Sequence, residues 1–242
     1  MKLAASITFI FAVPCLILAA PKADPSIDRL LKKLPPTEKL VKRGAQIDPA
    51  ANDPIARDML SAAEAQKFGR ALSLSRRLCK KYPRSAPAHC IRGILAFSQN
   101  RFAEAAGSYR ATIAIEPRIT LAYLGLGAAE AAQNHYAAAL SSYQKSTQLE
   151  PKAEIGWLGS SVCAEKLGRR QDSVVWAKKA TTVAPSSFLA WLQLARAEKA
   201  AGHDQAALKA LARSNNLRRS TRATRGQTPD RSRNEGRALK QR

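Results

Sequence analysis

Residues 120–153 read TLAYLGLGAAEAAQNHYAAALSSYQKSTQLEPKA, and this stretch sets the pattern for most of the chain. Its proline recurs every 34 residues, as Pro83, Pro117, Pro151 and Pro185. A proline removes a backbone donor and clashes with the preceding helical turn, so each one marks a place where a helix has to end. The spacing therefore predicts a series of equal units, each closed by a helix stop.

Small and large side chains keep the same spacing. Small residues recur in two series, which are Ala71, Ala105, Ala139, Ser173 and Ala207, and Gly93, Gly127, Ser161 and Ala195. A large side chain recurs early in each unit, at Ile55, His89, Tyr123, Trp157 and Trp191. Two helices that cross closely need small residues at the crossing and large residues beside it. The pattern predicts helical hairpins that stack, because a single hairpin would leave an apolar face in water.

A helix–turn–helix period of 34 residues with this order of small, large and proline positions resembles the tetratricopeptide repeat. The third unit carries the resemblance most fully, through Tyr123, Leu126, Gly127, Tyr136, Ala139, Tyr143 and Pro151. The resemblance implies an all-α, right-handed superhelical solenoid of about five units, over residues 52–85, 86–119, 120–153, 154–187 and 188–219. Met59 stands in a small-residue position of the first unit, and Arg219 replaces the final proline. Such divergence is expected in terminal units.

The resemblance also implies a function, since arrays of this family bind a peptide or helix of a partner in a concave groove lined by their first helices. Apolar residues dominate the groove positions of units two to four, and the Asn/Lys clamp of carboxylate-binding members is missing. We therefore expect a protein partner that presents an amphipathic helix or an extended apolar peptide. The alternative is that some of these side chains pack helix against helix and meet no ligand. The candidate groove residues are Cys90, Ile94, Phe97, Leu121, Leu124, Ala128, Ile155, Leu158, Val162, Leu189, Leu192 and Arg196, with Ala56, Leu60, Ala131, Glu165 and Lys199 in further groove positions.

The 242-residue chain is strongly basic, with 40 Lys and Arg against 18 Asp and Glu and a net charge of +22. One basic cluster lies on the predicted second helix of unit one. With the tail, it is suited to an anionic surface such as an acidic protein or anionic lipid. Nucleic acid is less favoured, because no recognised nucleic-acid-binding motif is present. The alternative is a solvated face that keeps the protein soluble. The cluster consists of Arg76, Arg77, Lys80, Lys81 and Arg84.

The last helix is predicted over about residues 205–217, with Leu208 and Leu211 facing inward. Residues 218–242 hold nine basic, two acidic and three apolar side chains. So few apolar groups cannot offset the entropy of ordering a chain. We therefore predict a disordered basic tail over residues 220–242.

Residues 1–23 resemble a secretory signal peptide. A positive start at Lys2 precedes a nearly unbroken apolar run over residues 3–20, and Ala19, Ala20 and Ala23 follow as small residues for cleavage. The alternative is an uncleaved anchor, because this run is close to the lower limit for a membrane-spanning helix. We expect an exported protein, either periplasmic or secreted, or one anchored in the inner membrane by residues 3–20. Residues 24–51 then form a linker whose short amphipathic helix, over residues 26–34, caps unit one or contacts a membrane surface.

The chain has four cysteines and three histidines, so few side chains are available for metal binding or for acid–base catalysis. Cys79 and Cys90 fall in neighbouring turns of the expected stack, so a disulfide would suit an oxidising compartment, and the alternative is buried thiols. The three histidines fall in different units without a carboxylate or cysteine at metal-ligand spacing. No phosphate-binding loop or nucleophile motif is present in the sequence. We therefore predict a protein that is not an enzyme and uses no metal or cofactor.

Overall fold

Helical hairpins stack in chain order along residues 48–226, which are the residues that the computed structural model describes; side chains are described to residue 221. A short 3-10 turn (Pro49–Asn52) leads into the first hairpin. The predicted all-α repeat array of about five units is confirmed. The predicted signal or anchor and the helix at residues 26–34 lie outside the described residues. The helices are α1 (Pro54–Glu64), α2 (Phe68–Lys81), α3 (Ala86–Ser98), α4 (Phe102–Ile115), α5 (Thr120–Ala132), α6 (Tyr136–Leu149), α7 (Glu154–Lys166), α8 (Arg170–Val183), α9 (Phe188–Ala200) and α10 (Asp204–Gly226).

We refer to the helix pairs as units one to five, and to the two helices of each pair as the first and second helix. Units one to five are α1–α2, α3–α4, α5–α6, α7–α8 and α9–α10. None of the helices within residues 48–226 is long and apolar enough to span a membrane.

The turn inside each unit has a residue in the left-handed backbone conformation at the same position of the repeat. The φ values lie between 57° and 84° at Gln66, Asn100, Asn134, Gly168 and Gly202, which are spaced by 34 residues. The next N–H then donates back to the first helix, as in Arg101 N to Ala96 O at 2.9 Å. This geometry closes the carbonyls at the helix end in a Schellman motif. Asn and Gly adopt the left-handed region most readily, so the turn has its own repeating signal in the sequence.

Three of the recurring large side chains form hydrogen bonds with the carbonyl groups of the recurring prolines. The indole Nε1 of Trp157 donates to Pro151 O at 2.9 Å, and the indole of Trp191 donates to Pro185 O at the same distance. His89 Nε2 lies 3.1 Å from Pro83 O in the equivalent position. In these units the large side chain therefore fixes the start of the first helix to the turn before it.

The second helices of units one to four each insert one side chain between two first helices, in an arrangement that we call a stacking slot. Tyr109 of α4 is fully buried. A Cβ atom at Gly93 of α3 would lie 2.8 Å from its ring, and one at Gly125 of α5 would lie 2.3 Å from it. Real Cβ atoms do not approach that closely, so only glycine permits these helix distances. The same arrangement recurs one unit later, with Tyr143 between Gly127 and Gly159.

The following slot is filled by a different distribution of side-chain volume. Ala177 of α8 replaces the tyrosine, and the neighbouring positions hold Ser161 of α7 and Gln193 of α9 in place of glycine. All three residues are buried, and Gln193 Nε2 donates to Ser161 Oγ at 3.2 Å. In the first slot Ser75 takes the tyrosine position and is buried with Met59, so the large residue at position 59 matches a small one on α2. A slot is therefore filled by a sum of volumes rather than by fixed residue types.

The last helix departs from the prediction in length. α10 continues to Gly226, so residues 220–226 of the predicted disordered tail are helical, while residues 227–242 lie outside the described part. No proline or glycine interrupts the sequence of this helix before Gly226.

The last helix also departs from the prediction in orientation. Leu208 is 67% exposed and Leu211 is 39% exposed, so neither faces inward as expected. The inward face belongs to Ala207, Ala210 and Ser214, which are buried. Ser214 Oγ donates to Phe188 O at 2.8 Å, which fixes the rotation of α10 against α9.

Two glycine substitutions separate packing from helix propensity. We expect Gly125→Ala to lower the free energy of unfolding by about 1–3 kcal/mol, because the new methyl group would overlap the Tyr109 ring. We expect Gly107→Ala on α4, where a Cβ would meet nothing within 4 Å, to raise it by about 0.5–1 kcal/mol. Urea unfolding followed by circular dichroism measures both. An equal effect of the two substitutions on the free energy of unfolding would contradict the close packing of Tyr109 against Gly125.

Candidate protein-binding site

The predicted groove residues divide into a buried group and an accessible group. The buried group lies on α3 and α5, whose glycines at positions 93, 125 and 127 allow close helix packing. Phe97, for example, packs edge-on against Phe102 with ring centroids 5.3 Å apart. Their side chains are used in contacts between helices, which agrees with the alternative that some residues at groove positions pack helix against helix. The buried residues are Cys90, Ile94, Phe97, Leu124 and Ala128, together with Ala56.

The accessible group lies mainly on α7 and α9, the first helices of units four and five. Its aliphatic members are half-buried, and two of them, Leu121 and Ile155, pack partly against the core. Leu158 and Leu192 occupy equivalent positions in consecutive units, as do Ile155 and Leu189. These side chains therefore form an apolar strip that runs across α7 and α9. The accessible residues are Leu121, Ile155, Leu158, Val162, Leu189 and Leu192, with Leu60, Ala131 and Glu165 half-buried and Arg196 and Lys199 exposed.

A cleft of about 680 Å³ continues this strip at the end of the array. Its walls come from α7, α9 and α10, and the exposed Leu208 and Leu211 contribute to it. Lys199 Nζ pairs with Asp204 at 2.6 Å. Arg196 has no ion-pair partner among the described side chains and therefore remains available to a ligand. Sequence reasoning identified Leu192, Arg196, Glu165 and Lys199 in this cleft but missed the part that α10 contributes, because it placed Leu208 and Leu211 inside.

Buried acids join consecutive units. Glu130 of α5 accepts a hydrogen bond from Arg110 of α4 at 2.8 Å, and Ser142 Oγ donates to its second oxygen at 2.8 Å. Two units later, Glu198 of α9 pairs with Lys178 of α8 at 3.0 Å in the equivalent positions. In both pairs the cation lies on a second helix and the acid on the next first helix.

The environment of Glu198 keeps it ionised. Burial opposes its ionisation, but hydrogen bonds from His203 at 2.6 Å and from Lys178 outweigh burial and leave the pKa of Glu198 below its ordinary value. A charged carboxylate is thus held at the contact between units four and five.

The basic cluster is partly neutralised by the fold. Arg76 makes two hydrogen bonds to Glu104, at 2.8 and 2.7 Å, and Lys81 pairs with Asp53 at 2.6 Å. These two cations connect helices within the array. The remaining members, Arg77, Lys80 and Arg84, are exposed and form the accessible part of the cluster.

Glu104 is the most heavily paired acid of this region. Besides Arg76, it contacts Arg92 and Arg101, each at 3.1 Å. The hydrogen bond from Arg76 outweighs burial and, with Arg92, lowers the pKa of Glu104 from 4.5 to about 2. Sequence reasoning did not find this cluster, because its members come from three helices and from the turn before α4.

The three cysteines within residues 48–221 are buried thiols. No disulfide joins Cys79 and Cys90 in this part of the chain, and both side chains are buried. The Cys79 thiol lies beside Arg92 instead, and burial raises its pKa. Burial, with a smaller effect of Glu130, raises the pKa of Cys163 to about 12. Between residues 48 and 221, no group of three or more His, Cys, Asp or Glu side chains is placed to hold a metal ion.

Solved structures share this architecture. A crystal structure of MamA superimposes with a TM-score of 0.65 at 15% sequence identity, covering 71% of this chain and 98% of that one. MamA 41-end from Desulfovibrio magneticus RS-1 gives a TM-score of 0.65 at 13% identity, over 69% of this chain and 94% of that one. YrrB, described as a TPR protein with an unusual peptide-binding site, gives 0.59 at 14% identity, over 74% and 87%.

The fold is that of a tetratricopeptide-repeat array. No family model matches the sequence, and no curated protein matches it. At these identities the likeness concerns the fold.

Acid titration tests the role of Glu104. Its lowered pKa means that its stabilisation is complete above the ordinary pKa of 4.5 and is lost as the pH falls toward 2. We therefore expect Glu104→Gln to lower the free energy of unfolding by about 1.5–3 kcal/mol at neutral pH. The difference from wild type should shrink below pH 4.5 and vanish near pH 2.

The control for this titration is Asp172→Asn, which breaks an exposed pair with Arg169. We expect it to change stability by less than about 1 kcal/mol, because exposed pairs contribute little. Urea unfolding at a series of pH values measures both variants. A deficit of Glu104→Gln that is the same at every pH would show that charge pairing is not its cause.

Proposed function

We propose that the chain is a scaffold that binds another protein through the apolar strip on α7 and α9. The observation that carries the proposal is the run of half-buried aliphatic side chains, with Leu158 and Leu192 in register on consecutive first helices. The peptide-binding site described for YrrB, which has the same fold, supports it.

The composition of the strip favours an apolar ligand surface. Burial of apolar area contributes about 25 cal/mol per Å², so several aliphatic side chains together can hold a partner's apolar face. Arg196 and Lys199 lie at one end of the strip and provide a polar margin. An amphipathic helix or an extended peptide with alternate apolar residues fits this arrangement.

We further propose that the scaffold acts outside the cytoplasm, in the assembly or maintenance of a cell-envelope complex. The support is the signal-like sequence of residues 1–23. Fractionation of the native host with an antibody against the chain tests this location, and recovery in the cytoplasmic fraction alone would contradict it.

A second candidate function is binding to an anionic surface. Its support is the exposure of Arg77, Lys80 and Arg84 on a chain of net charge +22. Binding of this kind weakens steeply as salt rises, because charges are screened and counterions return. Binding through the apolar strip does not have that dependence.

Substitution of the strip tests the first candidate. We expect Leu158→Asp and Leu189→Asp each to reduce capture of a crosslinked host partner by about tenfold or more, because a carboxylate would have to be buried in the interface. Val175→Asp is the matched control, since Val175 is 53% exposed on α8, away from the strip. Leu124 is unsuitable for this purpose, because it is buried in the core.

Capture is compared at low and high salt, with helicity checked by circular dichroism. Unchanged capture by both strip variants would contradict the proposal. Complete loss of capture at high salt, with equal loss in an Arg77→Glu, Lys80→Glu and Arg84→Glu variant, would favour the anionic surface.

A further inference from the structure

Within residues 48–226, the last stacking slot of the array has two walls and no third. In the complete slots, a second-helix side chain lies between its own first helix and the first helix of the next unit, as Tyr143 lies between Gly127 and Gly159. The equivalent positions in unit five are Ala195 of α9 and Leu211 of α10. A sixth first helix would provide the third wall, and residues 48–226 contain none.

Residues of α10 are more exposed than the residues at the same repeat positions of earlier second helices. Leu208 is 67% exposed, whereas the residues at the same position of units one, three and four, Leu72, Leu140 and Val174, are all buried. Leu211 is 39% exposed, whereas Tyr109 and Ala177 at its position are fully buried. In those units the following first helix packs on the second helix. The exposed face of α10 thus corresponds to the place where a first helix packs in those units.

The charged side chains around this edge indicate which charge the docking helix should carry. Along the face of α10 that carries Leu211, helical spacing places Asn215 and then Arg218, which is exposed. Arg196 faces the cleft from α9 without an ion-pair partner in the described chain. Asp204 is already paired with Lys199. Among the described side chains, the exposed charges without an ion-pair partner at this edge, Arg196 and Arg218, are thus positive, whereas the half-buried Glu165 of the same cleft accepts a hydrogen bond from Gln193 at 3.2 Å.

The contacts inside the array have the same polarity. Arg110 and Lys178 on second helices each pair with a glutamate on the next first helix, Glu130 and Glu198. At two of the four junctions, the first helix that docks on a second helix thus carries an acidic residue beside its apolar face, and Ala96 and Ala164 take that position at the other two. A second copy of this chain would bring the arginines of its own α10 against those already there, and like charges would repel.

We propose that the exposed edge of unit five, formed by Ala195, Leu208 and Leu211, docks an acidic amphipathic helix of another protein. That helix lies where a sixth first helix would lie, with its apolar face on Leu208 and Leu211 and its carboxylates toward Arg196 and Arg218. This edge adjoins the end of the strip at Leu192 and Arg196 but does not include Leu158 or Leu189, so substitutions at Leu158 and Leu208 distinguish the two sites.

The test uses two labelled peptides of about 20 residues, long enough to form a helix on binding. Both present the same strip of leucine and alanine at helical spacing. Glutamate flanks the strip in one peptide, and lysine flanks it in the other. Fluorescence anisotropy measures their affinity for the full chain and for its Leu208→Asp, Leu211→Asp, Leu158→Asp and Val175→Asp variants. Leu208 is exposed, so its substitution leaves the core intact, and circular dichroism verifies the fold.

We expect the glutamate peptide to bind the wild-type chain. Its affinity for Leu208→Asp and for Leu211→Asp should be lower by about tenfold or more. Val175→Asp and Leu158→Asp should bind it as wild type does, which separates this site from the proposed strip. The lysine peptide should bind wild type about tenfold more weakly than the glutamate peptide.

Three results would overturn the proposal. The first is a failure of wild type to bind the glutamate peptide, or equal binding by Leu208→Asp. The second is a dimer in analytical ultracentrifugation that Leu208→Asp dissociates, because the occupant would then be a second copy. The third is binding of the glutamate peptide only after removal of residues 1–47, because the chain itself would then cover the edge.

Discussion

The insertion of one second-helix side chain between two first helices is the contact on which the array depends. Helices that stack at one fixed spacing leave a fixed volume at each crossing, and that volume must be filled without overlap. Tyr109 fills it between two glycines, whereas Ala177 fills it with the help of Ser161 and Gln193. The repeat is therefore a constraint on summed volume, and residue types at single positions are free to vary within it.

The same constraint determines which apolar side chains are buried and which remain accessible. In units two and three, tight crossings bury Ile94, Phe97 and Leu124, so those residues stabilise the array and are closed to a ligand. In units four and five the equivalent face keeps Leu158 and Leu192 accessible. At the end of the array, the last slot has no third wall within residues 48–226, and Leu208 near the start of α10 is exposed. Candidate binding surfaces thus lie where the stacking rule leaves apolar groups uncovered.

The sequence predicted the fold because its strongest signals are local and periodic. Pro151 ends a helix in any context, and Gly127 allows close approach in any context. The turn residues Asn100 and Asn134 had the same period, and the left-handed conformation was predictable from them.

The site was less predictable, because accessibility depends on neighbours in space. Phe97 and Leu158 occupy similar faces of first helices, yet only the packing of adjacent units shows that one is buried and the other half-exposed. The ion cluster at Glu104 joins three separate helices, so no single segment shows it. The rotation of α10 followed from the contact of Ser214 with the Phe188 carbonyl, which no periodicity indicates.

The most direct test of the volume constraint transplants one slot into another. Ala177→Tyr and the pair Ser161→Gly with Gln193→Gly are made separately and together, and the free energy of unfolding of each protein is measured in urea. We expect the combined protein to be more stable than the sum of the separate changes allows, with a coupling of about 1–3 kcal/mol. Additive effects, within about 0.5 kcal/mol, would contradict it.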